Sequence, residues 1–167
     1  TSCSVNGTDK SFKIFQSTAK SFYMYTYSTA EDGTKSDKNL PTTTDSSLTS
    51  KSSVSKKGSY LVVDNNGAVT QKEDILSSVK GRGNSSWEAS YKEFGKYAYN
   101  IKINTAIKLG GSSSTKSKKW CLLANNADEA MMRNTVVYNL ADSIGLEDSP
   151  MSDIYDVYNN GNYLGSY

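Results

Sequence analysis

Alternating apolar and polar residues predict a series of β-strands that each bury one face. A period of two is typical of a half-buried strand, and most of the segments below show it. The last segment is mostly apolar and predicts a short buried strand. In chain order, the segments are residues 11–16, 21–27, 59–64, 97–104 and 119–123.

Two turns rich in Asn and Gly predict β-hairpins. Asn65-Asn66-Gly67 follows the third of these segments and precedes a strand-like stretch at 68–70. Asn159-Asn160-Gly161-Asn162 separates 152–158 from 163–167. Asn and Gly tolerate the positive φ angles of a tight hairpin turn, so both positions favour antiparallel pairing of the flanking strands.

One amphipathic α-helix is predicted after the last segment. Asn126 is expected to cap its N-terminus, and Glu129 three residues later completes a pair that resembles a capping box. Gly145 stands where a left-handed residue ends a helix. The apolar stripe between these ends consists of Met132, Val136, Leu140 and Ile144, widened by Val137 and Ala141.

Residues 29–57 are rich in Ser, Thr, Lys and Asp and contain almost no apolar side chain. This composition predicts a long mobile loop or an insertion with weak strand character. A glycosylated Ser/Thr-rich stalk is the alternative. We therefore divide the chain into N-terminal strands plus this loop (1–57) and a main body (58–167), within one continuous domain.

Composition excludes several kinds of chemistry. Histidine is absent, which rules out Ser-His-Asp and Cys-His catalysis and any metal site that needs imidazole. The 19 Lys and Arg nearly balance the 17 Asp and Glu, so no nucleic-acid partner is expected. The longest apolar run, residues 120–124, is far below the roughly 20 residues of a membrane span. Twelve Tyr against four Phe predict a thin, aromatic-rich core.

The two cysteines, Cys3 and Cys121, leave two alternatives open. A disulfide between them would attach the N-terminus to the body and would suit an exported protein. Otherwise Cys121 is a buried thiol between Trp120 and Leu122, and Cys3 lies on a frayed tail.

Residues 80–87, Lys-Gly-Arg-Gly-Asn-Ser-Ser-Trp, form the segment most indicative of a ligand. Its glycines allow a ligand to come close to the backbone, and its backbone amides can bind a phosphate. Arg82 can bind phosphate or carboxylate through two hydrogen bonds. A simple turn is the structural alternative. The acidic side chains are not assigned to metal, because Asp128 and Glu129 suit a helix N-terminus and Asp153 and Asp156 suit a solvated strand face.

Four segments in this order resemble the CotH family of kinase-like proteins. They are VKGRGNSSW, KYAYNIKI, KSKKWCLLANNADEAMMRNTVVYNLADSIGL and DIYDVYNNGNYLGSY, within residues 58–167. The corresponding family pattern has a GRGNSTW box, a KKPYRIK strand, a KKWVLLAN strand with an LRN-bearing helix, and an LYLNGEYQGLY hairpin. The chain departs from it at residues 95–99, where the lysine pair and the proline are lost, and at Asn100, where the family has a basic residue.

The resemblance implies an α+β fold, mainly an antiparallel β-sheet with one principal α-helix, like a kinase small lobe. Residues 58–167 would be the N-terminal part of a CotH-like kinase domain. The implied activity of the intact domain is ATP- and Mg²⁺-dependent phosphorylation of protein Ser/Thr. The magnesium-binding and catalytic carboxylates would come from the part that follows, so this portion alone is expected to be inactive.

The residues expected at the nucleotide are Arg82, Asn84, Lys96, Lys102 and Arg133. Lys96 or Lys102 would be the strand lysine that pairs with phosphates, although a solvent-facing charge is the alternative for either. Arg133 matches the family's LRN motif and would bridge the helix to a ligand or form a structural ion pair. Trp87 and Trp120 are expected to be core anchors.

The resemblance also implies an exported or cell-surface bacterial protein, with the spore coat as the alternative. Expected partners are a protein substrate or the remaining part of the domain. A second class of function stays open: a non-catalytic structural module, or one that binds carbohydrate or protein, in a spore coat, cell-surface or cellulosome assembly. The many tyrosines on half-buried strands favour it.

Overall fold

The computed structural model describes residues 2–5, 8–11, 18–29, 35–37, 56–84, 87, 96–111 and 114–167. Strands account for most of its regular structure. They are β1 (Ser2–Val5), β2 (Thr8–Ser11), β3 (Lys20–Thr29), β4 (Lys35–Asp37), β5 (Lys56–Val63), β6 (Val69–Gly81), β7 (Tyr99–Ile107), β8 (Ser117–Leu122), β9 (Tyr155–Asn159) and β10 (Asn162–Ser166). A helix, α1, spans Arg133–Ser143.

The strands form one large mixed sheet and a separate hairpin. β1 pairs with β2, and the large sheet has the order β10-β9-β3-β5-β6-β7-β8, with β4 attached to β3. All pairs in the large sheet are antiparallel except β3–β9, which is parallel. The expected α+β fold with a mainly antiparallel sheet and one principal helix is confirmed, with this parallel pair as an addition.

The two predicted hairpins form. β5 and β6 flank the turn at Asn65-Asn66-Gly67, and Gly67 has a φ of 81°. β9 and β10 flank Asn160 and Gly161, whose φ values of 48° and 80° are those of a type I′ turn. The strands predicted at 21–27 and 97–104 correspond to β3 and β7.

Other expectations are only partly met. β6 continues through Lys80 and Gly81, which were assigned to the loop, because both pair with β7. The prediction that β8 is a buried strand is wrong. Among its residues only Leu122 is buried, and Lys118 and Lys119 are exposed. Of the strand expected at 11–16, residues 12–16 lie outside the described residues. In the Ser/Thr-rich segment, β4 shows the weak strand character that was one of the alternatives.

Helix α1 begins later than predicted. Its N-cap is Met132 rather than Asn126, and no side chain caps it there. Two successive turns follow β8 before the helix starts, and Asn126 lies in them with its amide donating 2.7 Å to the carbonyl of Lys96. The Asp128 carboxylate instead accepts the backbone N–H of Arg133 at 2.7 Å. The hydrogen bond to Lys96, a tertiary contact, therefore replaces the predicted role of Asn126 as the N-cap.

The C-terminus of α1 ends as predicted. Gly145 has a φ of 74°, and its N–H donates to the carbonyl of Asp142 at 3.0 Å. The N–H of Leu146 donates to the carbonyl of Ala141, also at 3.0 Å. This pair of bonds is a Schellman motif, in which a left-handed glycine satisfies carbonyls that the last turn leaves open.

The apolar stripe of α1 points away from the sheet. The side chains of Thr135, Tyr138 and Ala141 are partly covered, whereas every member of the predicted stripe except Ala141 is at least half exposed. None of the residues of α1 is buried. The side of α1 that faces the sheet is thus small and partly polar, and its apolar side faces solvent.

One face of the large sheet carries the core. The aromatic side chains Phe22, Tyr60 and Tyr99 are each 1% exposed, and aliphatic residues of β6 and β7 pack among them. Trp87 and Tyr97, which precede or follow the strands, close over this face. Tyrosine rather than phenylalanine supplies most of the large buried rings, so the predicted aromatic-rich core is confirmed.

A buried polar cluster fixes the parallel pairing of β3 with β9. The amide of Asn159, 1% exposed, donates 2.9 Å to the hydroxyl of Thr26, which is fully buried. The backbone N–H of Thr26 donates 2.9 Å to the Asn160 side chain. The N–H of Asn160 donates 3.0 Å to the carbonyl of Met24. A shift of register by one residue would break these bonds and reverse the faces of β9.

Replacing Thr26 by valine should destabilise the protein by about 1–3 kcal/mol, because the buried Asn159 amide would lose its hydroxyl partner. Urea unfolding followed by circular dichroism measures this loss. Thr115→Val, at an exposed threonine before β8, is the matched control and should change the free energy of unfolding by less than about 0.5 kcal/mol. Equal losses in the two variants would contradict a role for the buried cluster.

Candidate functional site

The glycine-rich segment leaves the sheet as a narrow turn at the end of β6. The N–H of Arg82 donates 3.0 Å to the carbonyl of Ala98, and the N–H of Trp87 donates 3.0 Å to the carbonyl of Asn84. Gly83 has a φ of 96°, which favours glycine. These bonds give the turn a defined shape despite its glycine content.

The packing of Trp87 explains why a glycine is required at position 81. Its ring is 4% exposed and packs against Tyr97 with the ring centroids 4.2 Å apart. A Cβ added to Gly81 would lie 2.6 Å from atoms of the Trp87 ring. Trp87 is therefore a core anchor, as predicted, and it lies directly under the glycine-rich turn. Trp120 is only half-buried, with its ring N–H bound to the carbonyl of Ser117 at 2.9 Å.

A hollow lies at the glycine-rich turn. It is lined by Gly81, Arg82, Gly83 and Asn84, together with Asn100 of β7. The hollow is about 470 Å³ and is wide open to solvent. Arg82 and Asn84 meet here, so the structure brings together two of the five residues that were expected at the nucleotide.

A more enclosed cavity of about 320 Å³ lies between the core face of the sheet and α1. The sheet side of its lining is mainly apolar and aromatic but includes Lys119 and Cys121 of β8, and α1 contributes polar side chains. Arg82 also lines this cavity and so belongs to both spaces. The lining includes Phe22, Leu109, Leu122, Tyr155 and Tyr167 on the sheet side and Asn134, Thr135 and Tyr138 on the helix side.

Lys96 lies behind the cavity wall. Its ammonium group donates 2.9 Å to the carbonyl of Ala124, donates to the carbonyl of Ser166, and sits 4.4 Å from the centroid of the Tyr167 ring. Burial lowers the pKa of Lys96 from 10.5 to about 8, and the nearby Asp156 carboxylate partly opposes this shift. A Cβ at Gly165 would lie 3.0 Å from the Lys96 side chain. Lys96 therefore joins three parts of the chain.

The remaining expected residues lie outside the cavity. Lys102 is exposed on the opposite face of β7 from the buried Ile101 and Ile103. The Arg133 side chain is 79% exposed and forms an ion pair with Asp128, with 3.6 Å between Nε and Oδ1. That pair is the structural alternative named for Arg133. Its neighbour in the LRN-like motif, Asn134, lines the cavity instead.

The acidic side chains near the cavity are already engaged. Asp153 lines it and forms an ion pair with Lys20. The Asp156 carboxylate accepts hydrogen bonds from Ser166 at 2.6 Å and from Tyr163 at 3.1 Å. Among the residues that the structure describes, no three acidic or cysteine side chains converge as a metal site would require.

Sequence patterns missed most of the cavity lining. Tyr155 and Tyr167 are held together by reciprocal backbone bonds of 3.0 and 2.9 Å, which bring the end of β10 beside the start of β9. Burial raises the pKa of Tyr155 to about 12, with Asp153 adding to the shift. Burial also raises the pKa of Tyr167 above 10. In the sequence, these two tyrosines lie in the last of the four family-like segments, but nothing there indicated that they line a cavity.

Cys121 differs from both expectations. Its thiol is free and exposed, so it is neither buried nor part of a disulfide. It donates 3.1 Å to the side-chain oxygen of Asn100. The cause is the alternation of β8, which places Leu122 toward the core and Cys121 on the opposite face.

Comparison with known proteins identifies the family. A family model described as CotH kinase protein matches residues 79–167, more than half of the chain. The chain belongs to the CotH kinase protein family. The match includes the glycine-rich turn, β7, β8, α1 and the β9–β10 hairpin, which are the elements that enclose the cavity. No curated protein and no solved structure matches the chain.

Within the described residues, no helix is long and apolar enough to cross a bilayer.

The lowered pKa of Lys96 predicts a specific pH dependence of stability. Between about pH 8 and 10.5 the unfolded chain holds this proton while the folded chain releases it, so folding becomes more favourable as the pH rises. In urea unfolding at pH 7 and 9.5, the free energy of unfolding of the wild type should increase relative to that of Lys96→Met. Parallel pH profiles for the two proteins would contradict this assignment.

Proposed function

We propose that this chain forms the nucleotide-binding part of a CotH-type protein kinase, in which the intact domain transfers phosphate from ATP to protein Ser or Thr. The observation that carries the proposal is the position of Arg82. It lines both the enclosed cavity and the open hollow at the glycine-rich turn. Family membership supports the reaction class.

The chemistry of the two spaces fits the two halves of a nucleotide. Small-molecule sites are usually apolar clefts of about 300–1,000 Å³ with a few polar groups, and the cavity of about 320 Å³ is lined in this way. Aromatic and aliphatic side chains such as Tyr138 and Leu109 suit a purine. The hollow at the glycine-rich turn is polar by comparison and suits phosphates.

Arg82 and Asn84 are the residues that we assign to the phosphates. A guanidinium can bind phosphate oxygens through two parallel hydrogen bonds, and the Asn84 amide is exposed beside it. Lys102 and Arg133 lie away from the cavity, so the proposal gives them no contact with the nucleotide.

Lys96 acts in this proposal as a positioning residue. Its ammonium group is already bonded to the carbonyls of Ala124 and Ser166 and covered by the Tyr167 ring. Through these contacts it holds the end of β10 and the segment after β8 on either side of the cavity. The role of Lys96 in this proposal is thus structural, and Arg82 supplies the positive charge at the phosphates.

Magnesium is normally bound by phosphates together with one or two carboxylates. Asp153 is the carboxylate that lines the cavity, and it already pairs with Lys20. The described residues therefore suit the binding of phosphates and the nucleoside better than they suit the metal. We assign the metal-binding and catalytic carboxylates to another part of the domain, in the manner of kinases whose metal ligands come from a second lobe. This portion would then bind nucleotide without transferring phosphate.

The proposed small-lobe character of the chain depends on element order. A glycine-rich turn, a strand, a helix and a hairpin follow one another within residues 58–167, which we treat as the N-terminal part of the kinase domain. For the cellular setting we propose an exported or cell-surface location, with the spore coat, from which the CotH family takes its name, as the alternative.

Titration calorimetry of ATP with Mg²⁺ tests the nucleotide site. Arg82→Ala should weaken binding at least about tenfold, because a charge-assisted hydrogen bond contributes about 1.5–3 kcal/mol. Lys72→Ala, at an exposed lysine of β6 that lines neither space, should bind as the wild type does. Equal heats from Arg82→Ala and the wild type would remove the proposed phosphate contact.

A tyrosine stack on the sheet favours a second candidate function, binding of carbohydrate or protein by a non-catalytic module. Tyr23, Tyr158 and Tyr163 lie in one row across β3, β9 and β10, with ring centroids 4.8 and 5.2 Å apart. Tyr163 is 52% exposed at the edge of the sheet. An exposed aromatic ring is a usual platform for a sugar or an apolar side chain.

Sedimentation with insoluble cellulose tests this second candidate. If it is correct, the wild-type chain sediments with cellulose and Tyr163→Ala does not. Leu140→Ala, which removes an exposed apolar side chain on α1, serves as the control and should sediment normally. Wild-type protein that stays in solution, or equal sedimentation of both variants, would contradict carbohydrate binding at the stack.

A further inference from the structure

A second cationic surface lies on the face of the sheet opposite the core. In β7, Asn100 and Lys102 are exposed, whereas Tyr99, Ile101 and Ile103 between and beside them are buried. Residues directly paired across an antiparallel sheet point to the same face. Side chains that pair with Asn100 and Lys102 on either neighbouring strand therefore belong to the same open surface.

The register places three lysines in two adjacent rows. One row is Ser78, Lys102 and Lys119, and the other is Lys80, Asn100 and Cys121. We call Lys80, Asn100, Lys102 and Lys119 the lysine face. Paired residues lie about 5 Å apart and the rows are about 7 Å apart, so the three ammonium groups can reach a common point. A hollow of about 390 Å³ lies between them.

The arrangement is unfavourable without a ligand. Lys102 and Lys119 are directly opposite one another, and like charges in such pairs destabilise a sheet. In the part of the chain that the structure describes, ion pairs form at Lys20 and Arg133, and none forms at these three lysines. The side-chain oxygen of Asn100 accepts a hydrogen bond from Cys121, which leaves the amide nitrogen to donate. The lysine face therefore offers three positive charges and a neutral donor to an anion.

We propose that the lysine face binds a phosphorylated serine or threonine side chain of a partner polypeptide. A phosphomonoester carries a charge of about −1.5 to −2 and three acceptor oxygens, which match three lysines and one amide. The cluster is too compact for nucleic acid, whose recognition needs a basic stripe along several phosphates. Its lysines are exposed, so contacts from flanking peptide must supplement the charge interaction.

This proposal goes beyond the proposed nucleotide site, because it rests on the register of β6, β7 and β8 and not on the nucleotide. Lys80 and Lys102 line neither of the two spaces assigned to the nucleotide. Lys119 also lines the enclosed cavity, and Asn100 also lines the hollow at the glycine-rich turn, so the two sites adjoin at these residues.

Fluorescence anisotropy with a short labelled peptide that carries one phosphoserine tests the proposal. The phosphopeptide should bind the wild-type chain at least tenfold more tightly than its unphosphorylated form, and the difference should shrink as salt is added. The triple variant Lys80→Gln, Lys102→Gln, Lys119→Gln should lose at least tenfold in affinity. No preference for the phosphorylated peptide would overturn the proposal.

A charge-matched control separates a site from general attraction. The triple variant Lys72→Gln, Lys116→Gln, Lys118→Gln removes the same net charge from exposed lysines outside the hollow and should stay within threefold of the wild type. Equal losses in the two triple variants would overturn the proposal. So would tighter, lysine-face-dependent binding of inorganic phosphate, a heparin fragment or a single-stranded oligonucleotide than of the phosphopeptide.

The first triple variant should also remain folded. Removing the directly opposed charges of Lys102 and Lys119 should leave the thermal midpoint unchanged or raise it. A lowered midpoint would show that the lysines stabilise the sheet, and it would overturn their assignment to a ligand. Addition of the phosphopeptide should raise the midpoint of the wild type alone.

Discussion

The parallel pairing of β3 with β9 is the constraint on which the rest of the structure depends. It brings together residues 133 positions apart, and the buried contact between Thr26 and Asn159 fixes its register. The burial of these two polar side chains is tolerated only because they form a hydrogen bond with each other. Once β9 is held against β3, β10 follows through the tight turn, and the segment from β8 to β9 must cross over the core face.

That crossover creates the cavity. α1 lies on it, and because the side of α1 that faces the sheet is small and partly polar, the helix does not pack tightly. The space left between them is the cavity of about 320 Å³. Tyr167 closes one side of it and is held by its backbone bonds to Tyr155 and by the ammonium group of Lys96. The candidate site is thus a consequence of long-range pairing together with a helix whose apolar stripe points outward.

The two faces of the sheet carry different side chains, and they adjoin at the edge strand β8, whose Lys119 lines both the cavity and the hollow of the lysine face. The core face carries tyrosine rings and leads to the cavity, with Arg82 at its margin. The open face carries a tyrosine stack at the β10 side and the lysine face at the β8 side. Alternation along β7 separates them, since Ile101 packs into the core while its neighbour Lys102 points to solvent. One strand thereby contributes to two different surfaces.

The sequence by itself determined the local features. The Asn-Gly turns, the left-handed Gly145 and the alternation in β3 and β7 depend on short-range sterics and periodicity, which neighbouring residues specify. The glycine-rich turn and the family resemblance were likewise visible in short motifs. Other features were decided only by the tertiary structure. Asn126 bonds to the carbonyl of Lys96 and does not cap the helix, and Lys96 bonds to a backbone carbonyl. Cys121 faces outward, and three lysines lie on one surface. Each of these depends on which strands become neighbours, and strand neighbours are chosen by the burial of the whole sheet.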